Sequence, residues 1–356
     1  MANLPEQFRD LPSIFDAMAL FGTPEEAEKF LFDHQIFPSS RECHRCGRSM
    51  NLNGQSFRCG RKTCQAKSSV RNGTFFSKMK APLHIVLFYL YMFISGSSQT
   101  QIINYLKISK ETAASLCKYT RQLLGDAVEE SDVKIGGPGI IVEIDESKFG
   151  KRKYHRGHRV DGAWVLEGVE KTSERRLFVR VIEKRDARTL ETIIKQHVLP
   201  GSIIHTDSWR GYSNLANLRR MRYTHRVVNH SQSFRNPETG VHTNIIEGTW
   251  SGVKLGIPLR CRNREVIDDY LWGFVWKRIN QGRRFEALIW ALRNIRWEDL
   301  DDSTESVDET FDQLDVDDSQ RSIEEDLGTD GQHHLDRQSS PPVASPVRTR
   351  RRTRNT

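Results

Sequence analysis

The feature that most constrains the fold is an alternation of strand-like and helix-like segments between residues 140 and 290. Three closely spaced apolar stretches predict a three-stranded meander. They lie at 140–147, 163–169 and 176–182. An amphipathic helix is predicted next at 187–198, and a fourth, short strand at 202–207. This alternation is typical of a mixed α/β domain.

Acidic residues stand at defined points of these predicted elements. Asp145 lies on the first strand, Asp207 ends the fourth, and Glu247 falls one turn into a later helix. Because a strand alternates faces, Glu143 shares the face of Asp145, whereas Glu146 points the other way. This order is expected of a ribonuclease-H-like sheet, in which three carboxylates converge on two divalent cations. Mg²⁺ prefers oxygen ligands, and two ions about 4 Å apart clamp both reacting oxygens of a phosphoryl transfer.

Four of the six cysteines crowd into one short stretch, as Cys43-x2-Cys46 and Cys59-x4-Cys64. Two such pairs provide the four thiolates of a tetrahedral structural zinc, so we predict a zinc ribbon. The wide second spacing leaves open whether Cys64 or His44 completes the ligand set. A closed four-ligand site leaves zinc no position for chemistry, so we expect this module to fold and bind. Basic residues surround the ligands and favour contact with phosphates: Arg41, Arg45, Arg48, Arg58, Arg61, Lys62 and Lys67.

The segment after the cysteines is helical in pattern. An apolar run at 83–94 predicts a buried helix, and two shorter helices are predicted at 97–106 and 110–124. The two shorter helices are typical of a helix-turn-helix, whose second helix enters the major groove of DNA. Lys118 and Arg121 on that second helix are then DNA-binding candidates. Plain packing of two short helices is the alternative.

Three segments resemble the transposases of Merlin-type cut-and-paste DNA elements and of related bacterial insertion sequences. They are IVEIDESKFGKRKYHRGHRVDGAWVLEGVE, IIHTDSWRGY and VNHSQSFRNPETGVHTNIIEGTWSGVK. The resemblance covers roughly residues 40–290. It implies a DDE transposase whose catalytic triad is Asp145, Asp207 and Glu247. It also implies that the N-terminal modules recognise the terminal inverted repeats of the element.

The chemistry expected of such an enzyme is metal-assisted phosphoryl transfer on DNA. Water attacks a phosphodiester at each element end, and the freed 3′-hydroxyl then attacks target DNA. Two Mg²⁺ or Mn²⁺ ions held by the triad assist both steps. Because two DNA ends must be joined together, we expect a homodimer or a higher oligomer in the synaptic complex.

A basic stretch follows Asp145 and is predicted to be a hairpin that grips phosphates of the scissile strand. Its DNA-binding candidates are Lys148, Lys151, Arg152, Lys153 and Arg156, and Lys254 joins them from the last predicted helix. A solvated loop is the alternative. Three polar residues near the acids are expected to orient the metal ligands or a water molecule. They are His242, Asn244 and His205, and for His205 packing in the core is the alternative.

Charge divides the chain unevenly. Residues 298–336 carry sixteen acids and one arginine, and residues 337–356 carry six arginines, so a net charge of +17 remains on residues 1–297. A region this basic is expected to bind a polyanion such as nucleic acid. The simpler explanation is that the excess charge only keeps the protein soluble. The basic end resembles a nuclear import signal, which favours the nucleus if the source is eukaryotic and the cytoplasm otherwise. The longest apolar run has ten residues, against about 20 needed to span a bilayer, so we expect a soluble, intracellular protein without membrane contact.

These observations predict five stretches. They are an N-terminal helical segment at 1–35, a zinc ribbon at 36–80, a helix-turn-helix at 81–130, a ribonuclease-H-like DDE catalytic domain at 135–292 and a disordered tail, acidic and then Arg-rich, at 298–356. Two other functions compete with an active transposase. One is a host-domesticated, non-catalytic DNA-binding protein derived from such an enzyme. The other is a stand-alone ribonuclease-H-like nuclease or resolvase.

Overall fold

The computed structural model describes residues 8–77, 79–150, 162–228 and 243–297. Helices α1 (Ile14–Phe21) and α2 (Pro24–Asp33) begin the described chain. A small antiparallel sheet follows, with the strand order β1 (Met50–Asn53), β2 (Ser56–Cys59) and β3 (Lys67–Ser69). This sheet carries the cysteine cluster, and Phe57 and Val70 are fully buried beneath it.

Three helices occupy the segment in which the sequence predicts them: α3 (Leu83–Ser95), α4 (Gln99–Leu106) and α5 (Lys110–Asp126). Local capping explains their bounds. The Ser98 hydroxyl accepts from the backbone N–H of Gln101, and the Ser109 hydroxyl accepts from the N–H of Thr112. Lys107, with a φ of +53°, ends α4 in the left-handed conformation that turns the chain toward α5.

In the described residues, the central sheet has five strands, with β5 (Ile141–Lys148) in the middle, β9 (Ile203–Asp207) and then β10 (Thr224–Val228) on one side, and β6 (Trp164–Glu170) and then β7 (Leu177–Ile182) on the other. Strands β5, β6 and β7 form an antiparallel meander. Helix α6 (Ala187–His197) then leads to β9, which pairs parallel with β5, and β10 pairs parallel with β9. A separate two-stranded ladder joins β4 (Ile135–Gly136) to β8 (Val198–Leu199). The prediction of a mixed α/β protein is confirmed.

Helices cover both faces of the central sheet. Helix α7 (Asn244–Gly256) packs on β5 and β6, and α8 (Ile267–Ile279) packs on β7, on the face that carries Asp145. Helix α6 and the short turn containing Tyr212 cover the opposite face, where the Tyr212 hydroxyl donates to Glu146. The two faces of β5 are therefore divided as the strand alternation predicts.

Two hydrophobic cores share helix α8. Leu271 and Val275 belong to the core of the sheet, whereas Trp276 belongs to the core of α1–α5 and the cysteine module. The last helix, α9 (Arg284–Asn294), packs entirely in that first core. The C-terminal end of the described chain thus returns to the N-terminal modules. None of the helices in the described ranges is long and apolar enough to cross a membrane.

Candidate active site

The sheet brings the first two predicted acids together. In the parallel pair β5 and β9, the last paired residues are Glu143 and His205, and Asp145 and Asp207 follow two residues later on the same side of their strands. Neighbouring strands lie about 4.8 Å apart, and both side chains leave the sheet on the same face. Burial, followed by the carboxylates of Glu146 and Asp207, raises the pKa of Asp145 to about 6. The Asp207 carboxylate is therefore close enough to act on Asp145.

Helix α7 is held against this pair at two points. Glu143 Oε2 accepts the backbone N–H groups of Ile245 and Ile246, at 3.0 and 3.1 Å. These N–H groups belong to the first turn of the helix, where they have no partner within the helix itself. One turn further along, Trp250 Nε1 donates to Asp145 Oδ2 at 3.1 Å. The buried strand thus fixes both the position and the rotation of α7.

Glu247 lies between these two anchors. It stands one turn before Trp250, so it shares the side of α7 that approaches Asp145. Its carboxylate is exposed and accepts a long hydrogen bond, 3.4 Å, from the Thr243 hydroxyl. Burial foremost, and the Glu247 carboxylate to a smaller extent, raise the pKa of Glu143. The third predicted acid is therefore close to the acidic face of β5.

The donors present suit a divalent cation between the two aspartates. Two like charges side by side disfavour each other's ionised form, and a bound cation removes that penalty. The backbone N–H of Trp209 donates to Asp207 Oδ1 at 2.9 Å and orients that carboxylate. In the described residues, only the cysteine cluster brings three or more metal-binding side chains within ligand reach of one another. Glu247 has to approach the aspartates before all three acids can share ions.

A fourth acid, Glu167, stands beside the pair and was missed at the sequence level. It is the register partner of Asp145 on β6 and is fully buried. Neither of its carboxylate oxygens has a hydrogen-bond partner in the described part of the chain. Burial and then the Asp145 carboxylate raise its pKa well above the usual value, against the opposing charge of Arg278. An acid in the middle of an otherwise apolar strand was the available signal.

Glu146 does not face this site, although its charge acts on Asp145. It projects from the opposite face of β5, where it is paired with Arg185 and with the Tyr212 hydroxyl. Trp250 is buried, and its indole N–H donates to Asp145. Its spacing of three residues from Glu247 was the signal for this role.

The remaining site predictions near the acids fall in several places. Lys148 is exposed at the end of β5, with its ammonium 5.7 Å from the centre of the Trp164 ring. Asn244 is exposed at the start of α7, and Lys254 is half-buried on the same helix. His205 is buried beside Glu143, in agreement with the packing alternative. Five predicted residues lie outside the described ranges: Lys151, Arg152, Lys153, Arg156 and His242.

The prediction that Arg121 faces DNA is wrong. The side chain is buried, its guanidinium lies 4.1 Å from the centre of the Tyr270 ring, and it donates to Cys117 Sγ at 2.8 Å. Helix α8 covers this side of α5, which the spacing within α5 alone did not reveal. Lys118, also on α5, is half-buried near Asp269 of α8.

The cysteine cluster has the geometry of a zinc site. The four Sγ atoms of Cys43, Cys46, Cys59 and Cys64 lie within 4.8 Å of one another, with two pairs at 3.6 Å. Tetrahedral Zn–S bonds of about 2.3 Å give S–S distances of about 3.8 Å. The backbone N–H of Arg45 leads the contacts that lower the pKa of Cys43 to about 7, which favours the thiolate. His44 is exposed and outside the cluster, so Cys64 completes the set.

Comparison with known proteins finds a similarity in the central region of the chain. Residues 122–278 match the ISXO2-like transposase domain, a family of DDE transposases. The match runs from within α5 to the end of α8 and includes Asp145, Asp207 and Glu247. It supports a DDE transposase family, with the ribonuclease-H-like fold and divalent-metal chemistry that such a family implies, but not specifically the Merlin type. No curated protein matches the chain.

Proposed function

We propose that the protein is a DNA transposase in which Asp145, Asp207 and Glu247 hold two Mg²⁺ or Mn²⁺ ions. The observation that carries the proposal is the placement of Asp145 beside Asp207 on neighbouring parallel strands, inside the region that matches a transposase domain. The match supports the reaction class, and the geometry supports the identity of the first two ligands. The Merlin type is the finer assignment that we propose from the sequence motifs.

Each protein group has a defined task in this proposal. Asp145 and Asp207 supply the carboxylate charge, and Trp250 orients Asp145 through its indole N–H. Glu143 fixes the first turn of α7, so Glu247 is carried toward the pair as a rigid part of that helix. When bound, the two cations would lower the pKa of the attacking water and neutralise charge on the departing 3′-oxygen. No covalent bond between protein and DNA is required.

The substrate is DNA at two stages. We propose that water cleaves the phosphodiester at each element end, and that the freed 3′-hydroxyl ends are then joined to target DNA. The zinc ribbon and the helices α4 and α5 would bind the terminal inverted repeats. Joining two ends calls for a homodimer or higher oligomer in the synaptic complex, and the nucleus is the proposed compartment for a eukaryotic source, or the cytoplasm otherwise.

A strand-transfer assay tests this function. Oligonucleotides carrying the inverted repeats that flank the gene are incubated with target DNA, Mg²⁺ or Mn²⁺, and either the wild type or Asp207→Asn. We expect joined products from the wild type and a loss of strand-transfer activity of more than about 100-fold in the variant. Mutating a residue that only hydrogen-bonds to a metal ligand already lowers activity about 10–100-fold, and Asp207 is proposed to be a ligand itself. The matched control is Glu183→Gln, which removes an exposed acid paired with Arg264 away from the site.

The products separate the alternatives. Cleavage without joining would replace the transposase by a nuclease. Specific binding of the repeats with neither reaction would instead indicate a non-catalytic, domesticated DNA-binding protein. Equal activity of the wild type and Asp207→Asn would contradict the assignment of the triad.

A further inference from the structure

A basic groove lies where the zinc module meets the C-terminal end of the described chain. It has a volume of about 460 Å³. Arg41 and His44 of the zinc module line it together with Arg296, which follows α9. Glu42 is the acid among its lining residues. Two elements far apart in the sequence therefore each contribute an arginine to one groove.

The Arg41 guanidinium is held in place by neutral partners. It donates to the Ser68 hydroxyl at 2.9 Å and to the backbone carbonyl of Asn72 at 2.7 Å. Burial and the nearby Arg296 guanidinium lower the pKa of Arg41. Neither arginine has a carboxylate partner in the ranges that the structure describes. Two like charges that converge, with no carboxylate of the described residues bonded to either, form a site suited to an anion.

The chain leaves the described region at the rim of this groove. The Trp297 N–H donates to the carbonyl of Gly73, a groove residue, at 3.3 Å, and the Trp297 ring packs against Phe75 and Tyr119. The next residue is Glu298, so the sequence becomes acidic within one peptide unit of the groove. Residues 298–309, the proximal acidic segment, contain seven acids and no lysine or arginine.

We propose that the proximal acidic segment of this same chain occupies the groove and places its carboxylates on Arg41 and Arg296. Carboxylates match the planar guanidinium fork, which can bind them through two parallel hydrogen bonds. Covalent attachment at the rim gives the segment an effective concentration in the millimolar range, an advantage that a separate anion lacks. The segment is therefore favoured over free nucleic acid as the resident occupant.

Docking of this segment would weaken DNA binding by the zinc module for as long as the segment occupies the groove. The exposed face of the zinc module carries further basic residues, among them Arg45, Arg48 and Lys67. Acidic residues held in the groove would compete with DNA phosphates for this surface, because both neutralise the same positive charge. This consequence rests on the proposed function, whereas the docking itself does not.

Hydrogen–deuterium exchange of the full-length protein without DNA tests the docking. The near variant combines Glu298→Gln, Asp299→Asn, Asp301→Asn and Asp302→Asn. The control variant removes the same four charges further along, as Asp315→Asn, Asp317→Asn, Asp318→Asn and Glu324→Gln. We expect exchange in residues 38–44 and 68–73 to become at least about threefold faster in the near variant and to stay unchanged in the control. Identical exchange in all three proteins would overturn the proposal.

Arg296→Gln tests the docking from the side of the groove, because it should also leave the groove without its acidic segment. It removes one anchor from the groove and leaves the acidic segment intact, so it should speed exchange as the near variant does. Combined with the near variant, it should add nothing further, because both changes break the same contact. Fully additive effects would contradict docking at this arginine.

Binding to a random-sequence DNA duplex at about 0.1 M salt tests the competition. We expect the near variant to bind at least about fivefold tighter than the wild type, and the control less than about twofold tighter. An equal gain in both variants would show general charge repulsion and would overturn the docking. Groove exchange that the duplex slows but the tail variants leave unchanged would overturn it in favour of DNA as the occupant. Because exchange is measured without DNA and without added Mg²⁺ or Mn²⁺, a failed strand-transfer assay leaves the docking result intact.

Discussion

The two candidate metal sites of this protein are built in opposite ways. All four zinc ligands come from one short stretch, and their sulfur atoms already lie at the distances that zinc requires. The acidic site draws Asp145, Asp207 and Glu247 from two strands and a later helix, and only the two aspartates stand side by side. The zinc site, whose ligands are neighbours in the sequence, thus has all its ligands together in the fold. The acidic site, whose ligands are brought together by tertiary packing, depends on the contacts that position Glu247.

The largest expected effect is the loss of zinc. Replacing Cys59 by Ser should unfold β1–β3 and disturb the first core, because zinc contributes about 10–16 kcal/mol of apparent folding free energy to such modules. Zinc content and circular dichroism measure the change. Cys261→Ser is the matched control, since Cys261 lies outside the cluster and a serine can still accept from the Tyr270 hydroxyl. Full zinc content in Cys59→Ser would contradict the claim that all four cysteines are needed to hold zinc.

A smaller effect is expected where the acidic site depends on its helix. Trp250→Phe keeps an aromatic side chain, with a smaller ring, and removes the hydrogen bond to Asp145, so the free energy of unfolding should fall by about 1–3 kcal/mol. The Mn²⁺ concentration for half-maximal activity should rise by about tenfold, because Asp145 loses its orienting partner. Denaturant unfolding and metal titrations of strand transfer measure these changes.

The control for this variant is Trp272→Phe. Trp272 also donates from its indole to an aspartate oxygen, Asp268 Oδ2, at 3.1 Å, but on the exposed side of α8. Its removal should lower stability by less than about 1 kcal/mol and leave the metal titration unchanged. Equal effects of the two substitutions on the metal titration would show that Trp250 does not position the site.

An effect that is small in acid and grows with pH concerns the buried Glu167. Its raised pKa means that the folded protein holds a proton which the unfolded chain releases above the ordinary glutamate pKa. The contribution of Glu167 to stability should therefore fall as pH rises above about 4.3, and Glu167→Gln should remove that contribution. The advantage of the variant should grow by at most about 1.4 kcal/mol per pH unit.

Unfolding of the zinc-loaded protein from pH 4.5 to 7.5, without added Mg²⁺ or Mn²⁺, measures this advantage, with the exposed Glu183→Gln as a control. A constant difference between Glu167→Gln and the wild type across that range would mean that Glu167 is ionised in the fold.

Local patterns predicted much of this molecule. The cysteine spacing gave the metal cluster, and hydrophobic periodicity gave α3–α5, the meander, α6 and β9 close to their observed bounds. Asp145 and Asp207 were identified because an acid at or near the end of a buried strand is a local signal. The strand alternation also placed Glu146 on the face away from the site, where it is paired with Arg185.

What the sequence missed depends on packing between distant elements. Glu167 became a site residue only through the register of β6 against β5. Arg121 is buried because Tyr270 of α8 covers it, and no pattern within α5 reports on a helix about 150 residues later. The return of α9 to the first core, which brings Arg296 to the zinc module, is likewise invisible in local periodicity.

The most direct test of the central claim is Mn²⁺ binding to the full-length protein, measured by titration calorimetry for the wild type, Asp207→Asn and Glu183→Gln. The account predicts at least one ion that Asp207→Asn binds more than about tenfold more weakly and that Glu183→Gln retains. Because the ligand must be ionised and the pKa of Asp145 is about 6, this ion should also be lost as pH falls below 6. Unchanged Mn²⁺ affinity in Asp207→Asn would contradict a cation site on these two strands.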